Sequence, residues 1–317
     1  MPDIVISEFI EPHAISQGLR GFDVHHDKTL VDQPEALKAL LGESRALIVR
    51  NATPVTADVM DAGPNLVCIG RLGVGLDNID VEAARARGIA VYPATGANAV
   101  SVAEWVIATA MVLLRGAYGS TLDVIAGTWP RENLIAGREI FGKRLGLVGF
   151  GSIARETALR GAALGMSVAA YDPFVAADDP AWTQPFGRVE RLTLDEIVAT
   201  SDVISLHVPL TAETRNLIDA GRLLTSKPGA ILINGARGGI VDEAALAQAL
   251  QEGNLGGAAL DVFVEEPLSA AKAAVFVGCP NLILTPHIAG RSLEANERVS
   301  SMVVERVRAH LEGLAGA

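Results

Sequence analysis

Residues 145–154 read Leu145-Gly146-Leu147-Val148-Gly149-Phe150-Gly151-Ser152-Ile153-Ala154. A strand pattern over Leu145–Val148 runs straight into Gly-x-Gly-x-x-Ala, and a helical pattern over Ser152–Leu164 follows. Gly149 permits the tight turn from strand to helix, Gly151 lets the backbone approach a pyrophosphate, and the small Ala154 lets helix and strand pack closely. The helix start offers free N–H groups and the positive end of its dipole to phosphates. Asp172 ends the next predicted strand, 23 residues after Gly149. A carboxylate there can bond both ribose hydroxyls and repel a 2′-phosphate, so NAD is expected in preference to NADP. The stretch alone is also compatible with a plain strand–helix turn beside an exposed Asp.

Outward from this stretch, short β-rich runs alternate with helical segments. Strands are predicted at Val168–Tyr171, Val203–His207, Ala230–Asn234, Gly257–Val262 and Leu282–Thr285, with a helix at Asp242–Glu252. On the N-terminal side, strands at Ile4–Ser7, Asp23–His26, Ala46–Val49, Leu66–Gly70 and Ile89–Val91 alternate with helices at Glu35–Leu41, Thr56–Asp61 and Val81–Arg87. This alternation predicts an α/β protein with two parallel-sheet units, helices lying on both faces. Ser101-Val102-Ala103-Glu104 has the capping-box pattern and predicts the start of a long helix ending near Arg115. A last helix is predicted over Leu293–Leu311.

Composition narrows the class. The 317 residues carry 26 Lys+Arg against 37 Asp+Glu, a formal charge of −11, and half are hydrophobic. No basic stripe is available to neutralise phosphates, so neither a nucleic acid nor an anionic membrane is an expected partner. Two Cys without a CxxC or Cys/His cluster argue against a disulfide scaffold and a metal site. Met1-Pro2-Asp3-Ile4 shows no basic segment before an apolar core, and the longest apolar run, Val102–Leu114, contains Glu104 and is too short to span a bilayer. A cytoplasmic protein is expected.

Three segments place reactive side chains at the carboxyl ends of predicted strands, the edge where open α/β sheets hold ligands. They are Asn234-Gly235-Ala236-Arg237-Gly238-Gly239, Asp261-Val262-Phe263-Val264-Glu265-Glu266-Pro267 and Thr285-Pro286-His287-Ile288-Ala289-Gly290. Singly, each has a plain structural reading: a half-buried His, a solvated loop acid at 265 or 266, an Arg in an interdomain salt bridge. Together they suit oxidation of a 2-hydroxy acid. A His exchanges protons near neutrality, a carboxylate beside it orients the ring, and a guanidinium clamps the substrate carboxylate bidentately.

Taken in order, these segments resemble the D-isomer-specific 2-hydroxyacid dehydrogenase family, and the resemblance covers nearly the whole chain. Trp129-Pro130-Arg131, Phe141-Gly142-Lys143, His207-Val208-Pro209-Leu210-Thr211 and Arg85-Ala86-Arg87-Gly88-Ile89 are similar to that family's pattern too. The resemblance implies two Rossmann-like domains. One binds NAD over residues 98–288; the other, substrate-binding and flavodoxin-like, joins 1–97 to 289–317. It implies Arg237, Glu266 and His287 as the catalytic set. Cofactor contacts are implied at Gly149, Gly151, Ser152, Ile153, Asp172, His207, Pro209, Thr214, Ala236, Asp261 and His287, with Asp261 directed at the nicotinamide carboxamide. The helix from Ser101 and the Gly-containing segment after it resemble the family's dimerisation region, so a homodimer is implied. Many members carry Arg or Lys where this chain has Ser152. Its hydroxyl can still donate to phosphate, and Arg155 one turn later is a candidate to compensate.

Arg50 and Arg71 follow predicted strands at the same edge of the first sheet, and Leu72-Gly73-Val74-Gly75 is a Gly-rich loop able to cradle a carboxylate. With Arg237 assigned to one carboxylate, a substrate-binding set of Arg50, Arg71, Val74, Gly75 and Arg237 suggests a second anionic group. Leu47-Ile48-Val49-Arg50 and Ile69-Gly70-Arg71 are similar to phosphoglycerate dehydrogenases, although Asn51 stands where Ser is common. 3-Sulfolactate has the same reach; its sulfur reverses naming priority, so its S label denotes the arrangement called R in lactate. Structural ion pairs of the two Arg with Asp58 or Asp77 are the alternative. A broad hydroxypyruvate/glyoxylate reductase, or an NADH-sensing interaction protein like the C-terminal-binding corepressors, are the competing functions. Cys68 and Cys279 have no basic activator nearby in sequence and are expected to be inert.

Overall fold

In the computed structural model, which describes residues 2–315, the chain divides into two units: Met1–Asn98 with Arg291–Ala317, and Ala99–Gly290. The first unit holds β1 (Ile4–Ile6), β2 (Val24–His26), β3 (Ala46–Val49), β4 (Cys68–Arg71) and β5 (Ala90–Pro93), all parallel, in the order β2-β1-β3-β4-β5. That is the flavodoxin-like order. Alternate side chains serve opposite faces. Ile4, Ile6 and Ile48 pack with Val299, Val303 and Val307 of the helix Leu293–Ala315, while Val5, Leu47 and Val49 pack with Leu37, Leu41 and Met60. Both faces are therefore apolar, as a parallel sheet requires. Gly70 sets the fit of the last helix, because a Cβ there would lie 2.6 Å from Val303 Cγ1.

The second unit contains β6 (Arg144–Val148), β7 (Ser167–Tyr171), a small antiparallel pair β8 (Thr183–Gln184) and β9 (Gly187–Arg188), then β10 (Glu190–Arg191), β11 (Val203–Leu206), β12 (Ile231–Asn234), β13 (Gly257–Leu260) and β14 (Leu282–Leu284). Its main sheet runs β10-β7-β6-β11-β12-β13-β14, every pairing parallel. The chain winds outward from β6 to one edge, then returns beside β6 and winds to the other. The switch point between β6 and β11 is where such sheets take a dinucleotide. Helices Ala99–Arg115 and Ser152–Ala163 cover one face through Val102, Val106, Ala110, Ala154 and Ala158.

Three local expectations are corrected. The long helix begins at Ala99, so Ser101 lies within its first turn and is no N-cap. The buried stripe starts at Ala99, and Glu104 reaches across to Arg160 at 3.4 Å instead of back to the helix start. A genuine capping box sits at Thr193/Glu196, heading the helix Leu194–Thr200. Strand β4 starts two residues later than expected, since Leu66 closes a turn onto the Gly63 carbonyl at 2.9 Å. Burial alone accounts for its apolar character.

One buried acid shapes the carboxyl edge of the first sheet. Glu8, 8 % exposed, accepts four successive backbone N–H bonds from the loop after β3. Arg50 (2.8 Å) and Thr53 (2.9 Å) donate to Oε1, Asn51 (3.1 Å) and Ala52 (3.0 Å) to Oε2. Burial pushes the carboxyl pKa up, but the N–H groups of Thr53, Ala52 and Arg50 outweigh it and hold it below the usual value. A depressed folded-state pKa means this stabilisation is complete above the unfolded carboxyl pKa and is lost as pH falls through the folded one. Glu8→Gln turns an amide NH2 toward N–H donors, and should cost about 2 kcal/mol at neutral pH. In denaturant titrations that deficit should shrink below about pH 4; a deficit independent of pH would contradict the role.

Candidate active site

The turn after β6 has the shape its residues suggest. Gly149 adopts φ +90°, and a Cβ there would sit 2.6 Å from the His207 carbonyl oxygen. Gly151 is the N-cap of the helix Ser152–Ala163, makes no side-chain cap, and a Cβ on it would meet open space. Ala154 is fully buried behind the turn. Bare backbone therefore faces outward at a helix start, a cradle that fits a pyrophosphate. Asp172 follows β7 and is braced against the turn: Phe150 N–H donates to Oδ2 at 2.8 Å and Phe174 N–H to Oδ1 at 2.9 Å. Ser152 is exposed at the helix start and Ile153 is half-buried. Arg155 braces the turn: its Nε donates to the Phe150 carbonyl at 3.1 Å and its guanidinium lies over the Phe150 ring.

His207 follows β11, where its N–H bonds the Val148 carbonyl at 2.7 Å and ties that strand end to β6. Its Nε2 lies 2.9 Å from Ser205 Oγ, and burial pushes its pKa down to about 3, so the ring is neutral at physiological pH. Thr214 closes the following loop by donating its hydroxyl to the Pro209 carbonyl at 2.6 Å.

The ends of β12, β13 and β14 supply the charged set. Asn234, 1 % exposed, holds the segment beyond β12: its Nδ2 donates to the Arg237 carbonyl at 2.9 Å and its Oδ1 accepts from Ala236 N–H at 3.1 Å. The Arg237 guanidinium donates to the Ala236 carbonyl at 2.6 Å. Asp261 is equally buried, and its carboxylate is threaded through the segment after β14. It accepts from the Thr285 hydroxyl at 2.6 Å, Ile288 N–H at 2.9 Å and Ala289 N–H at 2.8 Å, while its carbonyl accepts His287 N–H at 2.8 Å. These bonds hold His287 at φ +52°, a left-handed conformation rare for a residue with a Cβ.

There His287 Nδ1 lies 2.6 Å from Glu266 Oε2, and Glu266 Oε1 accepts Phe263 N–H at 2.9 Å. The pair is formed by Glu266, not its neighbour Glu265. An ionised carboxylate only accepts, so it fixes the Nδ1–H tautomer and leaves Nε2 to exchange a proton. The side chains are 49% and 34% exposed, so the pair is reachable.

In the first unit, Arg50 departs from the ion-pair alternative: Asp58 pairs with Lys38 at 3.0 Å, while Arg50 donates to Asn296 Oδ1 at 2.6 Å and lies over the Phe9 ring. Arg71 ends β4 with its guanidinium against Gly73, where a Cβ would overlap it. In the Gly-rich loop, Leu72 and Gly73 N–H groups bond the Val49 and Arg71 carbonyls, which narrows the cradle to Val74 and Gly75. Sequence reading missed Glu8 and also Arg291, which donates to Asn51 Oδ1 at 3.0 Å. Cys68 is buried, its thiol pushed up to about 12, and is unreactive.

The family described as "D-isomer specific 2-hydroxyacid dehydrogenase, NAD binding domain" matches residues 107–289. The chain is 54% identical over 308 residues to an (S)-sulfolactate dehydrogenase of Chromohalobacter salexigens, covering 97% of this chain and 98% of that protein. It is 43% identical over 315 residues to a D-3-phosphoglycerate dehydrogenase of Mycobacterium bovis, spanning 99% of this chain but 57% of that longer protein. Among solved structures, the D-lactate dehydrogenase of Aquifex aeolicus complexed with NAD and lactic acid superposes with a TM-score of 0.85 at 29% identity, covering 98% of this chain and 96% of that one. The chain belongs to the D-isomer specific 2-hydroxyacid dehydrogenases, enzymes that oxidise and reduce 2-hydroxy and 2-oxo acids with NAD.

Proposed function

We propose that the protein interconverts a D-configured 2-hydroxy acid bearing a second anionic group, of the 3-sulfolactate type, with its 2-oxo acid. The observation that carries the reaction is the His287–Glu266 pair at 2.6 Å, locked at a sheet edge by Asp261. The anionic substrate draws support from Arg50, which is held by an amide oxygen, and from the 54% identity to a sulfolactate dehydrogenase.

In this reading residues 98–288 hold the cofactor, with 1–97 and 289–317 contributing the substrate side. NAD, bound along Gly149, Gly151, Ser152 and Ile153 with Asp172 on its ribose, supplies the hydride acceptor or donor. Neutral His207, Pro209, Thr214 and Ala236 would line its course, and Asp261 would face the carboxamide. Arg237 clamps the C1 carboxylate and polarises the C2 oxygen; in the first unit, Val74 and Gly75 are candidate substrate-binding backbone. On oxidation the C2 hydride would go to the nicotinamide, the hydroxyl proton would pass to His287 Nε2 and the carbonyl would form; on reduction the hydride would return to C2 from the dihydronicotinamide and the proton to the oxygen from His287. Glu266 keeps the ring oriented and stabilises the imidazolium. Arg50 and Arg71 receive the second anion.

The assembly in this reading is a homodimer. Tyr118, Leu122, Ile125, Trp129 and Ile135 are 66% to 78% exposed within one short stretch, an apolar surface suited to a second copy. Both cysteines are free, which suits a reducing, cytoplasmic compartment.

Initial rates of NADH oxidation should be highest with sulfopyruvate or 3-phosphohydroxypyruvate, ahead of hydroxypyruvate, glyoxylate and pyruvate. Equal or faster turnover of the singly charged acids would make this a general 2-oxoacid reductase. Asp172→Ala should reduce the NADH-over-NADPH preference in kcat/KM by about 10-fold or more, and an unchanged ratio would remove Asp172 from the ribose site.

A further inference from the structure

The loop after β3 and the start of the helix Leu293–Ala315 bring two guanidinium groups together. Arg291 donates to Asn51 Oδ1 at 3.0 Å, and Arg50, the neighbour of Asn51, donates to Asn296 Oδ1 at 2.6 Å. Guanidinium is a donor only, so each amide must turn its oxygen inward, leaving its NH2 as a further donor. Neither amide neutralises charge. Glu8 and Glu11 are the acids that act on Arg50, and both carboxylate oxygens of Glu8 are engaged by four backbone N–H groups. Burial, then the charge of Arg291, lowers the pKa of Arg50 against the opposing pull of Glu8 and Glu11, so the two cations repel each other. Holding two like charges side by side costs stability unless an anion offsets it.

We propose that Arg291 and Arg50, with the Asn51 and Asn296 amides, form a subsite for a tetrahedral oxyanion on C3 of the substrate, and that Arg291 determines the preference for it. A sulfonate and a phosphate monoester share the chemistry recognised: at least three equivalent oxygen acceptors around one centre, matched by two planar donor forks and two amide NH2 groups. The assignment rests on the function proposed above and adds to it a residue that no strand-end pattern marks. Phe9 beneath Arg50 fixes the guanidinium plane, with the cation 5.7 Å from the ring centroid.

The test compares kcat/KM for sulfopyruvate, 3-phosphohydroxypyruvate and hydroxypyruvate, with NADH, in the wild type, Arg291→Gln and Arg291→Lys. Arg291→Gln should lower the preference for the C3 oxyanion over hydroxypyruvate by about 10- to 100-fold, carried by KM. Arg291→Lys, which keeps the charge without the fork, should recover part of it. The sulfonate and phosphate arms identify which oxyanion the site favours. A preference within about threefold of wild type in both variants would overturn the subsite while leaving the proposed function intact. A wild type without preference for either C3 oxyanion would overturn both.

Discussion

The carboxylate of Asp261 is the fixed point of the sheet edge that carries His287. It is buried at the end of β13, and its oxygens take the Thr285 hydroxyl and the Ile288 and Ala289 N–H groups. His287 thereby enters a left-handed backbone conformation that costs about 1–2 kcal/mol for a residue with a Cβ. Hydrogen bonds to a charged acceptor contribute about 1.5–3 kcal/mol each, so three of them comfortably outweigh that strain. The consequence is chemical: the turn that is strained is the one that sets the imidazole against Glu266.

The first unit repeats the device on a different sheet. Glu8 gathers four consecutive N–H groups of the loop after β3, as Asp261 gathers the loop after β14. In both, a buried carboxylate substitutes for the regular hydrogen bonds that a chain leaving a parallel sheet gives up. Its rigid loop then presents a functional side chain, His287 in one case and Arg50 in the other.

Sequence legibility followed the range of the interactions. The turn at Gly149 was legible because positive φ and a 2.6 Å approach to a carbonyl admit little besides glycine. Asp172 was legible because the spacing of strand, turn and strand is local. The parallel α/β character of both sheets followed from alternating β and α patterns. The capping box at Ser101 misled because the hydroxyl and acid stood at the right spacing inside a buried stripe that had already begun at Ala99. Glu8 was invisible because it acts 42 to 45 residues away, and Arg291 because its partner Asn51 lies 240 positions distant. The edge strand β10 has two residues, both exposed, too few to show a period.

The central claim is that His287 moves the proton while the other unit-two residues hold the cofactor. Single-turnover oxidation of NADH bound to His287→Gln, started with sulfopyruvate, tests it most directly. The account predicts that NADH still binds and that its oxidation slows by about 100-fold or more. Oxidation at the wild-type rate, or loss of NADH binding in the folded variant, would contradict it.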